Sequence, residues 1–227
     1  MLARSAYALS IACCLALCLG ACQVDSYSTG EGRNSLTQAT FASLTVDADK
    51  QGIAFLTDEG ENYTLLHPYR TSWIETPDTV YRALIYYNKV DEGKADIRSS
   101  ARLTTIHPIA HWRFSTLPQD PLDVQSVWLS NGARYLNLAL LVKSGYVDDK
   151  EERQTIGMAV DTLMHHDDGR TAAHYRLLHS QNDVPQYFTN RRYVTVALPA
   201  TPPDTIHLTI PTYAGEVLRT LVSVTVR

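Results

Sequence analysis

Beyond position 22 the chain has no cysteine: all four, Cys13, Cys14, Cys18 and Cys22, fall in the first 22 residues of 227. A disulfide framework for the folded part is therefore excluded, and so is a cysteine nucleophile other than Cys22. Glycine and proline are scarce, 11 and 10 residues, while 44% of the chain is hydrophobic, which excludes a disordered or collagen-like polymer. Basic residues are outnumbered by acidic ones, giving a formal net charge of −4. That balance argues against a nucleic-acid or anionic-membrane partner. After Leu19 no run is long and apolar enough to cross a bilayer as a helix. HExxH, CxxC, GxSxG and phosphate-loop patterns are all missing, and no internal repeat links the two halves. At this length one large domain or two small ones are expected.

The thiols that are present mark an export segment. Arg4 supplies a positive start and Ser5 to Leu19 an apolar stretch of signal-peptide length. It ends in Leu19-Gly20-Ala21-Cys22, which resembles the lipobox of bacterial lipoproteins. The chemistry requires a thiol there, because sulfur takes the diacylglyceryl group as a thioether, and small residues before it admit the peptidase. An ordinary signal peptide cut near Ala21 would instead leave Cys22 as an unpaired thiol, an unusual feature of an exported protein. Acyl chains gain about 0.8 kcal/mol per buried methylene, so more than one chain holds a protein stably to lipid. Residues 1–21 thus read as a lipoprotein signal peptide. Residues 22–38, rich in Gly, Ser, Thr and Asn, read as a flexible tether.

From residue 39 the hydrophobic pattern has period two. Strands are predicted at Ala39 to Asp47, Gly52 to Thr57, Asn62 to Leu66, Thr79 to Val90 and Ala95 to Ile106. Asp58-Glu59-Gly60 and Asp91-Glu92-Gly93-Lys94 supply hairpin turns between them. In the fifth strand, Ile97, Ser99, Ala101 and Leu103 are expected to share a core face. Residues 107–124, with Pro118 and Pro121, read as a junction. A second series follows at Gln125 to Ser130, Ala133 to Lys143, Gln154 to Met164, Thr171 to Leu178, Tyr193 to Leu198, Asp204 to Ile210 and Leu218 to Val226. Asn131-Gly132 predicts a type I′ hairpin between the first two. The fold class is all-β, and the seven strands of residues 125–227 suggest a β-sandwich.

The lipobox, the short Tyr-bearing segment after it, the five strands, the Pro-marked junction and Trp128 ahead of Arg134-Tyr135-Leu136-Asn137-Leu138 together resemble the NigD-like lipoproteins of Bacteroidota. Tyr175-Arg176-Leu177-Leu178-His179 with Asn182-Asp183, Arg191-Arg192-Tyr193 and Asp204-Thr205-Ile206-His207-Leu208 extend the likeness through the second half. The segment Val147 to Gln154 departs from the pattern. The resemblance implies an N-terminal five-stranded OB-like barrel over residues 39–106 and a C-terminal β-sandwich over 125–227. It also implies an association with bacteriocin genes, from which an immunity role has been inferred.

Chemistry-bearing clusters each have a simpler account. His165-His166-Asp167-Asp168-Gly169 gathers metal-ligating types, but neighbours on a strand face opposite ways and the segment suits a solvated hairpin turn. His174 and His179 stand at an odd offset, on opposite faces. His107 and His111 flank the junction as ordinary polar residues. Asp148-Asp149-Lys150-Glu151-Glu152-Arg153 lacks the oxygen spacing of a calcium loop and carries its own cations. No catalytic residue, metal ligand or cofactor is assigned. Aromatics give the remaining lead: Tyr81 and Tyr87 on one barrel strand, with Arg98 and Arg102 on its partner, are candidate ligand-binding residues, since OB barrels stack ligand rings on such a face.

The function expected is a non-catalytic binding or protective module, held in the cell envelope by lipid on Cys22 and facing an envelope protein or glycan. The alternative is an envelope hydrolase acting on glycan or with a bound metal. Gln23 in place of a retaining aspartate favours the outer membrane.

Overall fold

The alternation of apolar and polar residues becomes strand almost throughout. The computed structural model describes residues 36–146 and 153–223. Of the first compact unit, Met1–Thr37, only Leu36 and Thr37 are described; the second, Gln38–Arg227, carries every described strand. Cys22, the signal segment and most of the acidic stretch after Val147 lie outside the described residues.

Strands β1 (Gln38–Val46), β2 (Gly52–Thr57), β3 (Asn62–Tyr69), β4 (Thr79–Asp91) and β5 (Lys94–Arg102) close on one another in the order β1-β2-β3-β5-β4. Only β3 and β5 run parallel; the other pairings are antiparallel. Inside the ring Phe55, Tyr63 and Tyr87 pack ring to ring at 5.0–5.4 Å, with Leu44 and Ile85 fully buried beside them. Aromatic pairs at tilted or edge-on geometry stabilise such an interior beyond the area they bury.

The remaining strands form two sheets. One holds β14 (Gly215–Val222), β13 (Thr205–Thr212), β11 (Thr171–Ser180), β10 (Thr155–His165) and β7 (Ile109–Ala110), in that order. The other holds β6 (Thr104–Ile106), β12 (Phe188–Ala197), β9 (Tyr135–Ser144) and β8 (Asp123–Leu129). Leu136, Leu138, Leu140 and Val142 of β9 meet Met158, Tyr175, Leu177, Leu208 and Ile210 in one core between the sheets. The other face of the four-stranded sheet turns to the ring: Phe41 of β1 contacts Trp128 of β8 at 5.2 Å and Tyr193 of β12 at 5.4 Å. Strand β9 is thus covered on both faces. That is why its sequence reads as a nearly unbroken apolar run rather than a clean alternation.

Three expectations are corrected. The stretch Ala95 to Ile106 is two strands: Leu103 ends the first by donating to the Arg82 carbonyl, and Thr104–Ile106 joins the four-stranded sheet beside β12. Within β5 the pairing passes from Tyr86↔Ser99 to Tyr87↔Ile97, which leaves Arg98 as a bulge. One extra residue inverts the side-chain parity. Ile97 is buried as expected, but Ser99 and Ala101 face solvent, while Ser100 turns in and donates to the Tyr69 hydroxyl at 3.0 Å. Finally, Asn131-Gly132 is not a two-residue type I′ turn. The positive φ values fall on Gly132 (68°) and Ala133 (48°), and the connection runs from Ser130 to Arg134. Asn131 instead docks on the ring, its amide donating to the Asp58 carbonyl at 2.6 Å and its side chain to the Glu59 carbonyl at 3.2 Å.

Candidate functional site

The sequence-predicted ligand residues do not stay together. Tyr87 is 2% exposed and belongs to the aromatic interior of the ring, so it cannot stack on a ligand. Burial, with Tyr63 beside it, pushes its hydroxyl up to about 12. Arg98 sits on the bulge and pairs with Asp96 at 3.2 Å. The same bulge that isolates Arg98 carries Arg102 back to the side of Tyr81, whose ring lies 5.1 Å from the guanidinium carbon.

Tyr81 and Arg102 line a cavity of about 760 Å³ where the ring meets the four-stranded sheet, together with Glu75, Thr105, His107 and Tyr135. The Tyr81 hydroxyl accepts from the amides of Thr76 at 2.9 Å and Glu75 at 3.2 Å. Hydrogen bonding from Thr76 first, then the Glu75 amide and the Arg102 charge, holds that phenol below its usual range. Glu75 faces Arg102 at 4.0 Å, a loose and exposed pair. The cavity therefore presents a cation, a carboxylate and a phenol within reach of one bound molecule, a set suited to holding a polar ligand.

The cavity floor is built by a buried polar network that local sequence does not announce. Arg82 donates from both terminal nitrogens to the two carboxylate oxygens of Asp58, each at 2.9 Å. Its guanidinium also lies 4.0 Å over the ring of Tyr135. Asn137 of β9 donates to Asp58 at 2.7 Å and accepts from the Thr195 hydroxyl at 2.9 Å. Ring and sheet are thus joined through a paired charge, the arrangement that makes buried ions tolerable, with Arg82 Nε alone of the guanidinium nitrogens left without a partner.

The histidine segments behave as ordinary polar structure. His165 ends β10 and residues 166–170 form the exposed turn to β11, with Asp168 held below the usual carboxylate range by hydrogen bonds from Arg170. His174 and His179 take opposite faces of β11, the latter fully buried with Nδ1 3.0 Å from the Asp120 carbonyl. His111 pairs with Asp161 at 2.8 Å. Among the described residues no three His, Cys, Asp or Glu side chains are grouped to hold a metal ion.

No family model and no curated protein matches the chain. Solved structures do. A NigD-like immunity protein from Bacteroides caccae is 25% identical, with 81% of this chain and 91% of that chain covered, at a TM-score of 0.62. A protein of unknown function from Bacteroides vulgatus is 15% identical over 83% of this chain and 92% of that one, at 0.60. A protein from Bacteroides fragilis assigned as a lipoprotein is 14% identical over 84% of this chain and 100% of that one, at 0.57. The likeness to the NigD-like lipoproteins carried by the strand pattern is thereby met by the fold: across four-fifths of its length this chain has the architecture of a NigD-like immunity protein.

Proposed function

We propose that the protein is a lipid-tethered, non-catalytic module of the cell envelope that protects its cell by binding a bacteriocin-type toxin. The observation that carries this reading is the shared fold with the Bacteroides caccae immunity protein over 81% of this chain and 91% of that one. The sequence adds the lipobox ending at Cys22, which would fix the module to membrane, and Gln23, which favours the outer one. In this reading residues 22–38 are the tether, the closed ring is an OB-like barrel, and the two sheets, which draw in β6 and β7 from before residue 125, are a sandwich. The barrel's end moves from Ile106 to Leu103, because Thr104–Ile106 pairs with β12. Tyr81 and Arg102 supply the ligand-facing part of the barrel, through the cavity they line.

The test is killing by bacteriocins of the same and related strains. Deletion should raise sensitivity, and restoring the wild-type gene should reverse it. Equal killing of deleted and wild-type cells would defeat the immunity assignment. Bound-metal analysis and glycan-turnover assays on the purified protein separate it from the hydrolase alternative, which requires one of the two to be positive.

A further inference from the structure

Among the described residues the exposed aromatic side chains are Tyr86, Trp112, Tyr146, Tyr187, Phe188 and Tyr213. The last four lie at one end of the two-sheet half, on three separate connections. Tyr146 follows β9, Tyr187 and Phe188 open β12, and Tyr213 sits at the tip of the β13–β14 hairpin. Tyr146 and Phe188 have ring centres 6.1 Å apart. The Tyr187 amide donates to the Ser144 carbonyl at 3.0 Å, and its ring passes so close to Gly145 that a Cβ there would lie 2.9 Å from it. Tyr213 donates to the Gln186 side-chain oxygen at 3.3 Å and carries the Lys143 ammonium 4.1 Å from its ring centre. Tyr146 is 85% exposed and Tyr187 78% exposed. Exposed aromatic surface gathered at one end in this way marks a contact site.

An open cavity of about 730 Å³ is lined by Asp120, Ser180, Asn182, Asp183 and Gln186 among others, and Gln186, which accepts from Tyr213 and directly precedes Tyr187, links it to two of the rings. Asn182 and Asp183 both take left-handed backbone, φ 45° and 59°, a conformation that costs non-glycine residues energy and is kept where the surroundings enforce it. Asp120 spends one carboxylate oxygen on the Gln181 amide at 2.7 Å. Among the described residues the Asp183 carboxylate makes no hydrogen bond, and the Gln186 side-chain nitrogen likewise donates to none. Acceptors and a donor therefore stand unspent within one cavity, next to flat apolar faces.

We propose that this end of the molecule binds a neutral oligosaccharide. A sugar ring has apolar C–H faces and a rim of hydroxyls; the tyrosine faces match the first, and the carboxylate and amide groups match the second. The acidic lining of Asp120 and Asp183 disfavours sulfated or uronic-acid sugars and nucleic acid. A protein hot spot would be a desolvated apolar pocket, whereas the hollow that adjoins Tyr187 and Tyr213 through Gln186 is lined mainly by polar groups. The site is separate from the Tyr81–Arg102 cavity and does not depend on the immunity reading.

The experiment uses the full chain purified in detergent, applied to a printed array of short neutral hexose and N-acetylhexosamine oligosaccharides, with sulfated and uronic-acid oligosaccharides as controls. Binding is expected on neutral sugars only. The Tyr146→Ala/Tyr187→Ala double variant, altered at exposed positions and checked for an unchanged melting curve, should bind about tenfold more weakly or worse. Asp183→Ala should also weaken binding, while Tyr81→Phe should leave it unchanged. No neutral sugar bound, binding confined to the anionic controls, or binding indifferent to the double variant would each overturn the assignment.

Discussion

Asp58 and Arg82 face one another through two parallel hydrogen bonds of 2.9 Å, with side chains only 6% and 4% exposed. Asp58 opens the turn after β2, Arg82 lies on β4, and Asn137 of β9 reaches across to the same carboxylate. The pair therefore fixes the ring against the four-stranded sheet. Replacing both by apolar residues could be nearly neutral, because desolvation offsets most of the attraction. Removing one partner leaves a buried charge unmatched. Asp58→Ala or Arg82→Ala should each cost about 3–5 kcal/mol in chemical denaturation. The double variant should lose less than the sum, with a coupling of about 0.5–3 kcal/mol. Additive losses would show that the two groups do not act on each other.

Gly145 makes a close approach that no other residue can make. An added Cβ would stand 2.6 Å from the Pro185 Cβ and 2.8 Å from the Pro185 carbonyl oxygen. The carbonyl belongs to backbone, so the Pro185–Tyr187 segment must shift. Gly145→Ala should lower stability by about 1–3 kcal/mol, the usual cost of overpacking, and lower Tm by several degrees. An unchanged melt would mean that the segment relaxes freely.

Alkaline pH should expose the ring's aromatic interior. Burial raises the Tyr87 hydroxyl from 10.0 to about 12, the nearby Lys89 ammonium opposing this without overcoming it. The folded state therefore holds the proton more tightly than the unfolded chain does. That contribution is whole below about pH 10 and is lost as pH rises through about 12. Tyr175, raised by burial, runs the same way, and Tyr81, held below the usual phenol range, runs against it. Denaturation midpoints across pH 8 to 12 should fall steeply above about 10, and less steeply in Tyr87→Phe. Equal slopes in the two proteins would remove Tyr87 from the account.

Where side-chain parity follows from local alternation, the sequence carries the fold. Ile206, Leu208 and Ile210 face the core of β13 as their spacing requires, and Glu92-Gly93 turns β4 into β5. Parity fails at Arg98, because nothing in Asp96-Ile97-Arg98-Ser99 announces a bulge that only the partner strand defines. Two of the four predicted ligand residues were displaced for related reasons. Arg98 became the bulge itself. Tyr87 shares its face with Tyr81, but that face points into the ring; Tyr81, itself 9% exposed, differs in lining the cavity beside Arg102. Short strands such as Ile109–Ala110 have no period to read. The Asp58–Arg82–Asn137 network and the aromatic end both join residues distant along the chain, each of which looks like ordinary turn or strand chemistry on its own. The one local hint was Asn137, a lone amide inside Leu136-Asn137-Leu138, where a strand covered on both faces needs a partner for any polar group.

In the proposed reading, attachment to membrane would rest on the sulfur of Cys22, since no cysteine follows it in the sequence. Small residues at Gly20 and Ala21 precede it, so cleavage and acylation are expected at this one position. At about 0.8 kcal/mol per buried methylene, acyl chains of ordinary length outweigh any tendency of the polar body to leave the bilayer surface. Labelled palmitate should therefore enter the wild-type chain and be missing from Cys22→Ala. The variant should also move from the membrane to the soluble fraction while keeping the wild-type melting curve, since the lipid lies outside the folded strands. Label that persists in Cys22→Ala would place acylation elsewhere, and wild-type chain found wholly in the soluble fraction would show that the segment is cut as an ordinary signal peptide.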